Sequence, residues 1–145
     1  MNMNVIDLTR IKLMSIGFQD AYTIGRETTI LLKNAIPELT FKTLMSEDFM
    51  ATLPSIIQEL FENGTITKDT LLRMMAPIVK SVDPENDQML GGIYMFAIAD
   101  GMAELHPEDD VARTFIEELI LEIEPQKDEY DIVSYRENYK NSLGV

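Results

Sequence analysis

Gln88 to Ala99, QMLGGIYMFAIA, is a run of twelve residues without a charge and apolar on nearly every side. A helix with no polar stripe has no face to offer water, so other elements must enclose it. The run is also well short of the ~20 residues that a membrane span needs. It therefore predicts a buried central helix, placed at about 85–105, with the DPEND segment at 83–87 as its start and Pro84 in the first turn. Gly91-Gly92 would destabilise an exposed helix. Inside a core the pair lets a neighbouring helix approach closely. The rest of the chain has to supply the elements that surround this one.

Those elements are expected to be helices. No alternation of apolar and polar residues persists, whereas apolar spacing at i, i+3 and i+4 recurs. Val5, Leu8, Ile11 or Lys12, and Ser15 follow one face of a first helix over 5–16, stopped by Gly17. A second runs over about 20–34 and is closed by Ile36-Pro37, since the residue before proline avoids helical angles. Ser46 is read as the N-cap of a third, with Glu47 and Asp48 suiting its dipole. Its stripe is Phe49, Met50, Leu53, Ile56, Ile57, Leu60 and Phe61, with Pro54 shifting the start or adding a kink. Thr67 caps a fourth over 68–81, in which Leu71, Leu72, Met74, Met75, Ile78 and Val79 face inward and Pro77 bends or interrupts the helix. HPEDD at 106–110 opens a sixth helix to about Glu124, closed by Pro125, and an amphipathic, tyrosine-rich seventh spans about 127–141. With 145 residues, of which 46% are hydrophobic and 26% charged, the chain has the size and apolar content of one domain. The expected fold class is all-α: a compact single-domain bundle over residues 1–145, of six or seven short helices around the buried central one.

Charge narrows the function classes. The net charge of −13 argues against nucleic acid as a direct ligand, because that affinity comes largely from Lys and Arg neutralising phosphates. The charge is also uneven. Residues 1–45 carry four acids against five bases, whereas residues 100–145 carry thirteen acids against Arg113, Lys127, Arg136 and Lys140. The chain has no cysteine, which excludes disulfides, thiolate zinc sites and a cysteine nucleophile. Asp7, Arg10 and Lys12 interrupt the apolar residues near the start, so no signal-peptide core is visible. A soluble, cytoplasmic protein that does not bind membranes is expected.

Four patterns have the outline of known chemical sites, and their ligands decide each one. ELFENGTITKDTLLRMM has the outline of a helix, a calcium loop and a helix. With Gly64 at the invariant glycine, however, Phe61 and Thr70 occupy positions that need an oxygen donor and a bidentate glutamate. A helical hairpin, ending one helix at Gly64 and starting the next at Thr67, accounts for it better. FAIADGMAELHPEDD, 96–110, resembles the ADG…PEE turn of tellurite-resistance-type (TerB-like) helical domains, where acidic residues between helices bind metal. The run between Gly101 and Pro107 is longer than that motif has, and a helix end at Gly101 with a new start at His106-Pro107 is the preferred reading. His106 is the only histidine, so the Glu-x-x-His pairs of a di-metal carboxylate bundle cannot be assembled, and it is expected to face solvent. Gly91-Gly92 lacks the Lys-Ser/Thr of a phosphate loop. No catalytic residue, metal ligand or cofactor is nominated, and the chain is not expected to be an enzyme.

The remaining function class is binding. On the sixth helix Val111, Ala112, Phe115, Ile116, Leu119 and Ile123 form a core face, while Asp110, Glu117 and Glu124 recur on the opposite one with Glu118 and Glu122 beside them. Tyr130, Tyr135 and Tyr139, with Ile132 and Val133, give the last helix an apolar-aromatic side that either docks on the bundle or offers an interface. Met74, Met75, Met89, Met95 and Met102 fall on expected core stretches, where thioethers fill gaps. Met45 and Met50 border the third helix, where an adaptable groove for a partner helix is the other reading. The chain is thus expected to bind another protein, one with a basic surface, as inhibitor, regulator or assembly chaperone; a homo-oligomer remains open. The contact residues are Asp110, Glu117, Glu118, Glu122, Glu124, Tyr130, Tyr135 and Tyr139. The alternative is a nucleic-acid mimic whose carboxylates occupy the basic groove of a nucleic-acid-binding protein.

Overall fold

The computed structural model describes residues 5–46 and 48–143; Glu47 and the side chains of Val5, Leu8 and Met50, named above, lie outside the described residues. The elements are α1 (Val5–Leu13), α2 (Phe18–Ala35), α3 (Phe41–Met45), α4 (Phe49–Glu62), α5 (Lys68–Ser81), α6 (Met89–Leu105), α7 (Asp110–Ile123) and α8 (Ile132–Ser142). A 3₁₀ turn over Glu124–Gln126 contains Pro125, so the proline is absorbed in the turn that follows α7. Among the described residues there is no strand, and no helix is long and apolar enough to cross a membrane. The fold is all-α, with α6 at its centre.

Several boundaries differ from the sequence reading, each for a local reason. The first helix stops at Leu13, and Gly17 instead opens α2: its N–H donates to the Asp20 carboxylate at 3.0 Å. Ser46 is not an N-cap. It ends the unforeseen α3, its hydroxyl donating to the Thr43 carbonyl at 2.8 Å. DPEND is a turn rather than a helix start, because its side chains capture the backbone: Asp83 accepts from Glu85 N–H at 3.0 Å and Asp87 from Met89 N–H at 2.8 Å. The central helix therefore begins at Met89. HPEDD is likewise mostly turn, with Asp109 as the N-cap of α7. The last helix starts at Ile132, where Asp131 accepts from Ser134 N–H at 3.1 Å, not near Lys127. By contrast α5 has the expected bounds and the Thr67 cap, and runs through Pro77 unbroken.

The apolar run of α6 is enclosed on both sides. Tyr94, Ile98 and Met102 join a core with α2, α3, α4, α5 and α7, while Leu90, Ile93, Phe96 and Ala97 join a second with α2, α7 and α8. Tyr94, fully buried, donates its hydroxyl hydrogen to the Met74 carbonyl at 2.7 Å and lies 3.1 Å from the Thr28 hydroxyl, so its polar tip is satisfied where an unpaired one would be costly. Met74, Met75 and Met102 are core residues, whereas Met89 and Met95 are only half-buried. The closest helix approach lies elsewhere than at Gly91-Gly92. A Cβ on Gly25 would stand 2.5 Å from Ala97 Cβ and 2.8 Å from the Tyr94 carbonyl, and one on Gly101 would stand 2.7 Å from the Thr29 side chain. Gly25 and Gly101 thus seat α2 against α6. Gly91 makes room for Ser81 at the end of α5, but Gly92 faces only its own helix's Met89.

Candidate protein-contact site

The outer face of α7 follows from its inner one. Ala112, Leu119 and Ile123 are buried, with Phe115 and Ile116 half-buried beside them, so the opposite side is left to solvent. Asp110, Glu117, Glu118, Glu122 and Glu124 all lie exposed there or at its edges. Asp110 is paired with Arg113 one turn on. Among the described residues no ion pair joins Glu117, Glu118, Glu122 or Glu124 to a base. In their midst stands Leu121, 74% exposed. It is four residues after Glu117 and three before Glu124, so at 3.6 residues per turn it shares their side of the helix. A leucine facing away from the core breaks the amphipathic pattern that the rest of α7 obeys, and the sequence reading passed over it.

Two bases, Arg26 and Arg136, are engaged inside the fold. Arg136 of α8 makes a two-pronged contact with Asp100 of α6, Nε and Nη2 each donating at 2.7 Å to one carboxylate oxygen. The Tyr22 hydroxyl donates to the same Asp100 at 2.8 Å, and Arg26 donates to the Tyr22 oxygen at 3.2 Å while also pairing with Glu104. The two guanidinium groups stack on rings, Arg26 over Tyr139 at 5.0 Å and Arg136 over Phe96 at 4.8 Å. Burial, followed by the Asp100 charge, pushes the Tyr22 hydroxyl far above its ordinary value of 10.0. The hydrogen bonds to Asp100 raise Arg136 further. Each group of this network is partnered within the chain, and its effect is to fasten α8 across α2 and α6. The signal in the sequence was Asp100 itself, the first carboxylate after the uncharged run of α6, but its partner lies 36 residues away.

This fastening decides the alternative left open for the tyrosines. Tyr139 is only 4% exposed and packs edge-on to Tyr22, with ring centres 6.1 Å apart; Tyr130 is 8% exposed and packs edge-on to Phe18 at 5.0 Å, its hydroxyl donating to Asp87. Tyr135 is half-buried on the same cluster. The aromatic side of α8 docks on the bundle, as does Tyr130 just before it, so Tyr130 and Tyr139 do not present their rings at the surface as the expected contact set required. Exposed Val133 is what α8 keeps outward of that group.

The other motifs resolve into fold features. Gly64 has φ of +83°, and the Asn63 carboxamide oxygen, a ligand position in a calcium loop, accepts from both the N–H and the hydroxyl of Thr65. Among the described residues no three His, Asp or Glu side chains are grouped to hold a metal ion. Gly101 does not end a helix: α6 continues to Leu105, and the acidic turn after it belongs to the start of α7. Buried Asp109 there caps two helices at once, accepting from Ala112 N–H of α7 at 3.2 Å and from Phe41 N–H of α3 at 2.9 Å. His106 is not the solvent-facing residue expected, since its ring lies against the Lys33 ammonium, which also donates to the Leu39 carbonyl at 2.7 Å. The assembled features define an acidic all-α bundle with one charged outer helix face. Compared with protein-family models, curated proteins and solved structures, the chain finds no match.

Proposed function

We propose that the chain works by binding another protein, as an inhibitor, regulator or assembly chaperone, through the outer face of α7. The observation that supports this reading is Leu121, exposed amid four carboxylates that no ion pair joins to a base among the described residues. Solvation alone accounts for the carboxylates, whereas Leu121, opposite the core and 74% exposed, buries little against the described fold. An apolar anchor within a polar rim is the usual anatomy of a protein contact, and the carboxylates around it would steer a basic partner into register. The nucleic-acid mimic remains the competing reading, in which the carboxylates alone act. A cytoplasmic setting is part of the proposal, and no catalytic role is assigned to any residue.

Affinity capture from the native cell, read by mass spectrometry at low and high salt, separates the two readings. Leu121→Ser is expected to weaken the partner by about tenfold or more, as loss of a central anchor does. Changing Glu117, Glu118, Glu122 and Glu124 to Gln is expected to slow capture and lessen its salt dependence. A partner lost with the glutamines but indifferent to Leu121→Ser is the mimic's signature. One that survives both changes excludes this face.

A further inference from the structure

A second surface, built by different helices, has the shape and charge of a docking groove. It runs between α4 and α5 and has a volume of about 790 Å³. Pro54, Met75, Ile78 and Val79 make its floor. Ala51 and Ser55, small and exposed, keep the α4 side low, and Val82, 66% exposed, stands at one end. Glu59 and Glu62 stand at the other, and among the described residues no lysine or arginine lines the groove. Gln58 also lines it; its Oε1 is buried with no hydrogen-bond donor, while its Nε2 donates to Glu62 at 3.1 Å. A buried acceptor without a donor is destabilising, and an incoming N–H would relieve it.

We propose that this groove receives an amphipathic helix of a partner protein, its apolar stripe on the floor and a lysine or arginine beside Glu59, Glu62 and Gln58. From Ala51 to Glu62 the α4 wall is about 16 Å long, enough for about three turns of a docked helix. Charge selects the occupant. A second copy of this chain would bring a net charge of −13 to an acidic rim, whereas a basic helix meets the opposite sign. The groove shares no residue with the α7 face, so the two surfaces can be tested apart.

The probe is a labelled synthetic helix of four turns, with leucines along one stripe and arginines flanking it, followed by fluorescence anisotropy with the full chain. A control peptide carries glutamate in place of arginine. The arginine peptide is expected to bind, and the glutamate peptide to bind about tenfold more weakly or worse. Ser55→Trp, at an exposed position, is expected to fill the groove and cut binding by about tenfold, with circular dichroism unchanged. Glu59→Lys with Glu62→Lys should reverse the preference between the peptides, a gain that misfolding cannot mimic. The proposal is overturned if neither peptide binds, or if Ser55→Trp changes nothing. It is also overturned if the α7 glutamine variant abolishes binding, which would put the peptide on α7. Self-association that Ser55→Trp abolishes would assign the groove to a second copy instead.

Discussion

A Cβ is the whole difference between Gly25 and alanine, yet there it would meet Ala97 and the Tyr94 carbonyl, neither of which can swing aside. Gly25→Ala is expected to lower stability by about 1–3 kcal/mol, through overpacking where α2 crosses α6. Gly92→Ala is expected to be neutral or to stabilise by up to about 1 kcal/mol, since the added carbon meets only the mobile end of Met89 and alanine favours helix. Urea unfolding of the two variants checks the contrast; equal effects would contradict the packing described. The sequence shows that Gly91-Gly92 lies in a buried helix, but not which glycines touch a neighbour. That depends on the crossing point, which is set by α2, more than 60 residues earlier in the chain. The same limit applies to Asp109, whose second hydrogen bond reaches α3 across the fold.

Elements were legible where their signals are local. For α5, the cap, the stripe and the end all lie within its own residues, and Thr67 sits where expected. The five-residue α3 is too short to form on its own and exists because Thr40 and Asp109 take its first N–H groups. Asp83 and Asp87 offer the backbone side-chain oxygens before α6, a competition that composition does not reveal. For α8, periodicity gave an apolar-aromatic side but not what covers it. The answer lay in Arg136 and Asp100. That fastening carries a pH dependence through Tyr22. Its folded hydroxyl holds its proton well above 10.0, so the contribution is complete below about pH 10 and is lost as pH rises further. The melting temperature should fall through about pH 10 to 11.5, and Tyr22→Phe should flatten but not abolish the fall, because burial raises Tyr94 in the same direction. A melting temperature that stays level in wild type would contradict this.

Over the whole molecule, the fold class followed from one uncharged run and the recurrent helical spacing, because burial of α6 demands a surrounding bundle. The charged face was legible because carboxylates without partners seek water, and Glu117, Glu118, Glu122 and Glu124 are all exposed. The tyrosines were not, since an amphipathic stripe looks alike whether it meets the same chain or another. Leu121 was visible as a residue out of phase with its helix, although only its exposure shows that no other described element covers it. The central claim is that a partner protein seats on this leucine and the acids around it. Hydrogen exchange of the chain, alone and with the captured partner bound, tests that most directly. Slower exchange concentrated in residues 117–124 is the predicted result. Unchanged exchange there, with protection on another face, would contradict it.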